Sequence, residues 1–213
     1  LEELGPTFVK FGQIMSNRPD ILPFELIEEL EKLQSNVKPI SCDTAIEVIE
    51  NETKKKVEES FIDFEKECIA SASIAQVHKA KLHTGEDIVV KIQRPGIQKV
   101  IETDLEIMYH LASIIEKRFP ETSSLNPVGI VEEFSDTIKK EIDFFYEAAY
   151  IERFAQNFKH DKTIHVPGIY RDFCSKKIIT MEYVDGIKVT HIEKLKNAGN
   201  DPKVITDRAT RLI

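Results

Sequence analysis

The sequence feature that most constrains the fold is a run of strand-forming residues between positions 60 and 92. Phenylalanine and isoleucine open the run at 61–64, and residues 74–82 alternate apolar and polar side chains. After a polar turn at 83–86, residues 88–92 are β-branched apart from one lysine. Alternation at period two between tight turns is typical of antiparallel strands. These residues therefore predict three consecutive strands that form a meander.

Helical periodicity lies on both sides of this strand region. Before it, Asp20 can cap one helix and Ser41 can cap a second. After it, Pro95 suits the first turn of a long helix, and the Asn-Pro pair at 126–127 suits the start of another that continues to about residue 158. Apolar residues recur at helical spacing in these segments, for example Leu22, Leu26, Ile27, Leu30, Leu33, Ile97, Ile101, Leu105, Met108, Ile130, Phe134, Ile138, Ile142 and Phe145.

Two further strands are predicted at 164–170 and 177–183, followed by a short helix near 192–195 and a last helix that begins after Asp201. The order of helices, three strands, two helices, two strands and helices is that of a protein-kinase small lobe with an N-terminal helical extension. We therefore expect an α+β fold, with the antiparallel sheet and helices of a protein-kinase-like small lobe, that stops before the catalytic loop.

The same order predicts how the chain is divided. A helical extension is expected over 1–58, a kinase-like lobe with an inserted helix pair over 59–185, and the exit from the hinge with the start of a second lobe over 186–213. The first residues, Leu1 to Leu4, look helical and do not begin with Met, so we expect the chain to be a piece of a longer protein.

Composition excludes several classes of function. The chain has 29 Lys and Arg against 37 Asp and Glu, a formal charge of −8, which argues against a nucleic-acid partner because such binding depends on cations that neutralise phosphates. Three cysteines without a CxxC pair and six histidines without HExxH spacing predict neither a disulfide framework nor a metal site. No apolar run is long enough to predict a transmembrane segment.

Lys91 is the first candidate for chemistry, because a lysine in an apolar strand loses hydration unless its ammonium finds a partner. In kinases a lysine at this place holds the α- and β-phosphates of ATP and pairs with a helix glutamate. Glu147 supplies a carboxylate on the second predicted long helix, and Asp143 shares its face four residues earlier. Glu141 lies on a different face, so the helix offers two acidic faces to two cationic partners.

Three other segments are candidates for binding. Ala70, Ser71, Ala72 and Ser73 lie between the first two strands, where small side chains would let the backbone approach a phosphate and serine hydroxyls could donate to it. Near the N-terminus, Lys10 and Gln13 flank a glycine that permits close approach to the helix. At the end of the last strand, the carbonyl of Glu182 and the N–H of Val184 occupy the place of a kinase hinge that meets adenine.

Each of these signals alone has a simpler structural explanation. A strand lysine can extend its ammonium into water, and helix carboxylates are usually solvated. Small residues between two strands suit any tight turn, and an apolar strand followed by an acidic turn is common. Their order along one chain is the stronger observation.

In that order the segments resemble the UbiB family of atypical protein-kinase-like proteins, which is associated with coenzyme Q (ubiquinone) biosynthesis. The resemblance covers essentially the whole chain, although Ser71 stands where the family usually has Ala and Tyr150 where it often has Asn. Its diagnostic segments are Lys10 to Gln13 for the KxGQ motif, Ala70 to Ser73 for the alanine-rich loop, Ile74 to His78, Val90 to Gly96, Glu141 to Asp143 for the ExD motif, and Glu147 to Ala149.

The resemblance implies a role for each candidate. Lys91 would be the nucleotide lysine and Glu147 its helix partner, the two residues closest to catalysis. The KxGQ residues would face the ExD carboxylates, over the place where ordinary kinases bind a protein substrate, which implies autoinhibition against protein substrates. The residues implied to contact the nucleotide are Ala70, Ser71, Ala72, Ser73, Lys91, Glu182 and Val184, and the implied regulatory residues are Lys10, Gln13, Glu141 and Asp143.

We therefore expect an ATP-binding atypical kinase or ATPase linked to isoprenoid-quinone biosynthesis. Its cofactors would be ATP and Mg²⁺, with the catalytic Asp and the metal ligands beyond residue 213, since no HRD-like or DFG triplet occurs in the chain. A lipid or quinone precursor and other biosynthetic enzymes would be partners, at the cytoplasmic side of an inner membrane. The alternatives are a non-catalytic kinase-shaped scaffold and a small-molecule phosphotransferase, a class that lacks the segment from Lys10 to Gln13.

Overall fold

The computed structural model describes residues 1–33, 37–120 and 125–210. It contains helices and one antiparallel sheet, as the sequence predicted, and short 3₁₀ helices at Glu2–Leu4 and Arg171–Phe173. The helices and strands, in chain order, are α1 (Pro6–Met15), α2 (Phe24–Glu31), α3 (Cys42–Thr53), α4 (Val57–Ser60), β1 (Asp63–Ser71), β2 (Ala75–Lys81), β3 (Asp87–Gln93), α5 (Ile97–Arg118), α6 (Pro127–Glu141), α7 (Phe144–Phe158), β4 (Ile178–Glu182), α8 (Ile192–Asn197) and α9 (Pro202–Thr210).

The four strands lie in the order β1-β2-β3-β4, with every neighbouring pair antiparallel. The β2–β3 ladder is regular from Ala75 opposite Gln93 to Lys81 opposite Asp87. β3 is therefore an inner strand, and Lys91 pairs with Val77 on one side and with Ile179 on the other. The β-branched run forms this strand because stiff side chains of this type pack well on a pleated surface.

Alternation along β3 sends its side chains to two different apolar cores. Ile88, Val90 and Ile92 are fully buried on the face that α3 and α4 cover. Lys91 lies on the opposite face, where β2 and β4 meet a second core built from α5, α6 and α7. The largest buried side chains of that second core are Phe134, Ile138 and Phe144.

The N-terminal helix α1 packs against this second core. The Phe11 ring meets the Phe134 ring of α6 edge to face, with centroids 5.2 Å apart. The Thr7 hydroxyl donates to the Asp104 carboxylate of α5. An edge-to-face aromatic pair adds about 0.5–1.5 kcal/mol beyond the area that it buries. The helical extension is thus joined to the kinase-like part by packing and by polar contacts.

The prediction of one continuous helix from the Asn-Pro pair at 126–127 to about residue 158 is wrong in one respect that matters for the site. The helix ends at Glu141 and a new one begins at Phe144. Asp143 has an extended backbone and its carboxylate accepts from the N–H of Phe145, so it caps α7. The apolar periodicity continues through this break, which is why the sequence pattern did not reveal it.

Three smaller predictions also need correction. Asp20 does not cap α2, because its carboxylate binds Arg18 instead. Pro95 lies before the first turn of α5, whose N-cap is Gly96 at a φ of 75°. The predicted strand at 164–170 is reduced to one bridge, Ile169 with Met181, in a segment where proline supplies no N–H to a ladder. Ser41 caps α3 through the N–H of Thr44, as predicted.

The chain divides into two compact units, Leu1–Tyr183 and Val184–Ile213. The first contains the sheet and α1 to α7, and the second contains α8 and α9. Leu195 of α8 is the buried apolar residue of the second unit among residues 184–210. In the described residues, no helix is both long enough and apolar enough to cross a membrane.

His78 is buried on β2, within the face that α3 covers, with 1% of its surface exposed. Its Nδ1 lies 2.8 Å from the carbonyl of Glu65, and its Nε2 lies 2.7 Å from Nε2 of Gln76. The neutral imidazole fits these contacts, with Nδ1–H donating to the carbonyl and Nε2 accepting from the amide. Burial lowers the pKa of His78, although the hydrogen bond to Glu65 opposes this shift.

We expect the protein to lose stability as the pH falls from above about 6.5 to below the lowered pKa of folded His78. His78 of the unfolded chain binds a proton near pH 6.5, whereas His78 of the folded protein binds one only at a lower pH, because its pKa is lowered. The neutral, buried imidazole therefore stabilises the folded state fully above about pH 6.5, and this stabilisation is lost as the pH falls toward the lowered pKa. One such group changes the free energy of unfolding by at most about 1.4 kcal/mol per pH unit. Thermal unfolding of wild type and His78→Gln across this range measures the effect.

The control for this experiment is His160→Gln, since His160 is exposed at the end of α7. The pH slope of the midpoint should be shallower in His78→Gln and unchanged in His160→Gln. Equal slopes in all three proteins would contradict the assignment to His78.

Candidate functional site

Lys91 forms an ion pair with Glu147 across the second core. Its Nζ lies 2.7 Å from Oε2 and 3.0 Å from Oε1 of that carboxylate. The two side chains are 24% and 34% exposed, so the pair is neither fully buried nor freely solvated. Nζ also lies 4.9 Å from the centroid of the Phe144 ring, which stabilises a cation over its face. The ion pair that the sequence predicted is confirmed.

The break between α6 and α7 gives Glu147 this position. Nε2 of Gln93 donates to the carbonyl of Ile142 at 2.7 Å, and the N–H of Phe144 donates to the carbonyl of Lys176 at 3.0 Å. These bonds attach the turn to the end of β3 and to the residues before β4. The sequence analysis did not single out Gln93. The feature that could have revealed it is a side-chain amide at the end of a buried strand, because a buried amide needs a hydrogen-bond partner.

A second ion pair joins Lys10 of α1 to Glu141 at the end of α6. This confirms the expectation that Lys10 lies near Glu141 or Asp143. Gly12 of α1 permits close packing beside this pair, since a Cβ at this position would overlap the side chain of Leu33 and lie 3.2 Å from Cδ2 of Leu30. The glycine thus lets the leucines at the end of α2 and just beyond it rest on α1.

Gln13 and Asp143 are placed differently from Lys10 and Glu141. Nε2 of Gln13 donates to the carbonyl of Leu33 at 3.2 Å. Asp143 caps α7, and its carboxylate is 3.9 Å from Nζ of Lys176. Asp143 and Glu147 were expected to share one face of a continuous helix, and the helix break makes that expectation wrong.

The small-residue segment is only in part a turn. Ala70 and Ser71 pair with Val77 and Gln76 as the end of β1, so the turn itself consists of residues 72–74. The hydroxyl of Ser71 donates to the carbonyl of Val37 at 2.7 Å. Its proton is therefore already used in a hydrogen bond, whereas the sequence predicted that this hydroxyl could donate to a phosphate. Ala72 is exposed and Ser73 is buried.

Glu182 and Val184 fall in different units of the chain. The carboxylate of Glu182 lies 2.9 Å from Nε2 of His165 and accepts from the N–H of Gly168 at 3.1 Å. Val184 begins the second unit and is 48% exposed. Their predicted role at adenine stays a prediction.

A cavity of about 550 Å³ opens beside the Lys91–Glu147 pair. It is lined by side chains of β3, α6 and α7, which are Lys91, Thr137, Lys140, Glu141, Tyr146, Glu147, Tyr150 and Ile151. Two lysines and two hydroxyl-bearing aromatic rings near one opening are groups that bind phosphates and donate hydrogen bonds. Within the described residues, no three His, Cys, Asp or Glu side chains converge as metal ligands would.

Comparison with known proteins places these features in a family. Residues 32–213 match the ABC1 atypical kinase-like domain. The chain is 40% identical over 212 residues to "Probable protein kinase UbiB" of Pseudomonas fluorescens (strain Pf0-1), and 41% identical over 212 residues to the protein of the same name from Marinobacter nauticus. These alignments cover 100% of this chain but only 40% and 39% of the relatives, so the chain spans about two fifths of their length.

The chain is also similar in fold to a solved structure. The chain is similar to Rv3197 of Mycobacterium tuberculosis in its complex with erythromycin, with a TM-score of 0.63 and 29% sequence identity. The similarity covers 85% of this chain and 45% of the Mycobacterium protein.

The partial burial of Lys91 and Glu147 predicts a measurable coupling between them. A double-mutant cycle with Lys91→Met and Glu147→Gln should give a coupling free energy of about 1 kcal/mol, because the pair is better shielded from water than a surface pair. Urea unfolding of the wild type, both single variants and the double variant measures it.

The matched control is Lys196 with Glu193, an exposed pair three residues apart on α8. The same cycle there should give a coupling of at most a few tenths of a kcal/mol. A coupling at Lys91 and Glu147 that does not exceed the control would show that their contact contributes nothing to folding.

Proposed function

The chain belongs to the ABC1 atypical kinase-like family that includes UbiB, and from this premise we propose that it carries the nucleotide-binding lysine of an ATP-binding atypical kinase or ATPase. The observation that carries the proposal is the ion pair between Lys91 on the inner strand β3 and Glu147 on α7. A kinase-like lobe uses such a pair to hold an ammonium where the phosphates of ATP bind.

The geometry of the pair supports this role for Lys91. Both oxygens of Glu147 are within hydrogen-bond distance of Nζ, which fixes the ammonium at the mouth of the cavity that α6 and α7 line. A lysine held in this way has its ammonium oriented before the ligand binds, which reduces the conformational entropy that the side chain loses on binding. A triphosphate bound in the cavity would then gain Coulomb attraction from a cation already in place.

Backbone groups at the end of β1, in the β1–β2 turn and at the end of β4 would complete the proposed nucleotide site. Ala70, Ala72 and Ser73 would supply backbone close to the phosphates, while the backbone of Glu182 would meet adenine. ATP supplies the phosphoryl group in such a site, and Mg²⁺ would neutralise its charge. Mg²⁺ takes oxygen ligands, and the described residues offer no converging set of them, so we assign no residue of this chain to the metal.

The Lys10–Glu141 pair supports the proposal of autoinhibition against protein substrates. It holds α1 against the end of α6, immediately before the turn that leads to Glu147. A helix in that place would occupy room that a protein substrate needs in an ordinary kinase. Small molecules or lipid-linked compounds would then be the substrates. The family resemblance supports a more specific proposal, in which the protein acts on an isoprenoid-quinone precursor at a membrane surface, together with other biosynthetic enzymes.

Nucleotide titration of the full-length protein tests the proposal. Lys91→Ala should weaken ATP binding at least about tenfold, because the variant removes a positioned cation and leaves Glu147 to repel the phosphates. Isothermal titration with ATP and Mg²⁺ measures the dissociation constant.

Lys81→Ala is the matched control, since Lys81 is a lysine of the same sheet whose side chain pairs with the exposed Asp87. It should bind ATP as the wild type does. If the wild type, Lys91→Ala and Lys81→Ala bind ATP alike, Lys91 is not the nucleotide lysine and the scaffold alternative gains.

A quinone assay separates the catalytic proposal from the scaffold. In a bacterial strain that makes no ubiquinone because it lacks its own UbiB protein, the wild-type full-length protein should restore ubiquinone, and Lys91→Ala should not. The measurement is the extracted ubiquinone at matched protein level, with Lys81→Ala as the control. Full restoration by Lys91→Ala would favour a scaffold that needs no ATP.

A further inference from the structure

Arg94 follows β3 directly and reaches the turn between β1 and β2. Its Nε donates to the carbonyl of Ala72 at 2.9 Å, and its Nη2 donates to the hydroxyl of Ser71 at 2.7 Å. The backbone N–H of Arg94 also donates to the carbonyl of Ile74 at 2.9 Å. One residue thus binds both ends of the turn, which contains only residues 72–74.

The guanidinium also binds the segment that precedes α3. Nη2 donates to the carbonyl of Lys38 at 3.1 Å, while the hydroxyl of Ser71 donates to the carbonyl of Val37. Oε1 of Gln76, on the adjoining strand, accepts from the N–H of Ile40 at 2.9 Å. The turn is therefore fixed to a segment on the face of the sheet that lies opposite Lys91.

Arg94 differs from the arginines that form ion pairs. Arg18 contacts Asp20 and Glu133, and Arg171 contacts Glu152. Among residues 1–33, 37–120 and 125–210, no carboxylate lies within ion-pairing distance of Arg94, and the side chain donates to carbonyl and hydroxyl oxygens. A partly buried guanidinium bound to backbone carbonyls fixes a backbone shape, because Arg presents several donors in a rigid fork.

These contacts set the direction of the peptide groups in the turn. The carbonyl of Ala72 points to Arg94, and in a trans peptide the following N–H, that of Ser73, points the opposite way. Anions are repelled by carbonyl oxygens and bound by N–H groups, so a carbonyl held by Arg94 is kept from facing a phosphate bound on the other side of the turn.

We propose that Arg94 is a positioning residue that holds the β1–β2 turn in the shape that binds the phosphates of the nucleotide. The inference rests on the proposed nucleotide site and adds to it the residue that orders its loop. The turn lacks glycine, so its residues have fewer backbone conformations than those of a glycine-rich loop, and the contacts of Arg94 hold one of these conformations on one side of the turn.

The test compares two ligands on the full-length protein, with Arg94→Met as the variant. Methionine keeps much of the length of the side chain and removes all its donors. ATP binding should weaken about tenfold, as expected from losing hydrogen bonds of a charged donor, whereas adenosine should change less than about twofold because it has no phosphate to meet the turn. The ratio of the two dissociation constants is the readout, since a general loss of folding would weaken both ligands equally.

Arg171→Met is the matched control, because it removes an equally charged side chain on the same unit whose partner is Glu152, away from the turn. It should leave both dissociation constants unchanged. Arg94→Lys should lie between the wild type and Arg94→Met, since an ammonium can donate to one of the carbonyls without the fork, and it carries the test if Arg94→Met does not fold.

The outcomes separate this inference from the proposed function. If Lys91→Ala weakens ATP binding while Arg94→Met binds ATP as the wild type does, or loses ATP and adenosine equally, the nucleotide site stands and the role of Arg94 is wrong. If neither the wild type nor any variant binds ATP, the nucleotide site fails and the role of Arg94 fails with it.

Discussion

The turn between α6 and α7 is the constraint on which the arrangement of the site depends. Two hydrogen bonds attach it to the sheet region: the side chain of Gln93 donates to the carbonyl of Ile142, and the N–H of Phe144 donates to the carbonyl of Lys176. Each satisfies a backbone group that a helix end would leave without a partner. Because both bonds come from residues at the ends of β3 and β4, the place where the helix breaks is set by the sheet.

Because of this break, the three acidic residues near it make different contacts. Glu141 stays on α6 and meets Lys10, Asp143 becomes the cap of α7, and Glu147 is carried toward Lys91. On one continuous helix, Asp143 and Glu147 would share a face four residues apart and repel each other. With the break, each carboxylate has its own partner, so the cluster of negative charge in this part of an acidic chain does not work against folding.

Much of the fold could be predicted from residue pattern alone, because the strands are marked by alternation and β-branched residues and most helices by caps and apolar stripes. The ion pair of Lys91 could also be predicted, since a lysine in an apolar strand needs a counter-charge. The pair of Lys10 was predicted from the second acidic face, which needed a cationic partner, together with the family resemblance. The helix break, the identity of the carbonyl that Gln93 binds and the contact of the Ser71 hydroxyl could not be predicted. They depend on carbonyl groups that come close only after the sheet and helices have packed, and such contacts leave no periodic signal in the sequence.

The two ion pairs respond differently to a movement of α7, and this follows from where the break lies. A shift of α7 that separates Glu147 from Lys91 has to strain the bond between Phe144 and Lys176, since Phe144 is the first residue of α7. Glu141 belongs to α6, which α1 holds through Lys10 and through the Phe11–Phe134 contact, so it need not follow. The break therefore places the carboxylate that holds the N-terminal helix on α6 and the carboxylate at the lysine site on α7, so a shift of α7 alone would disturb only the second ion pair.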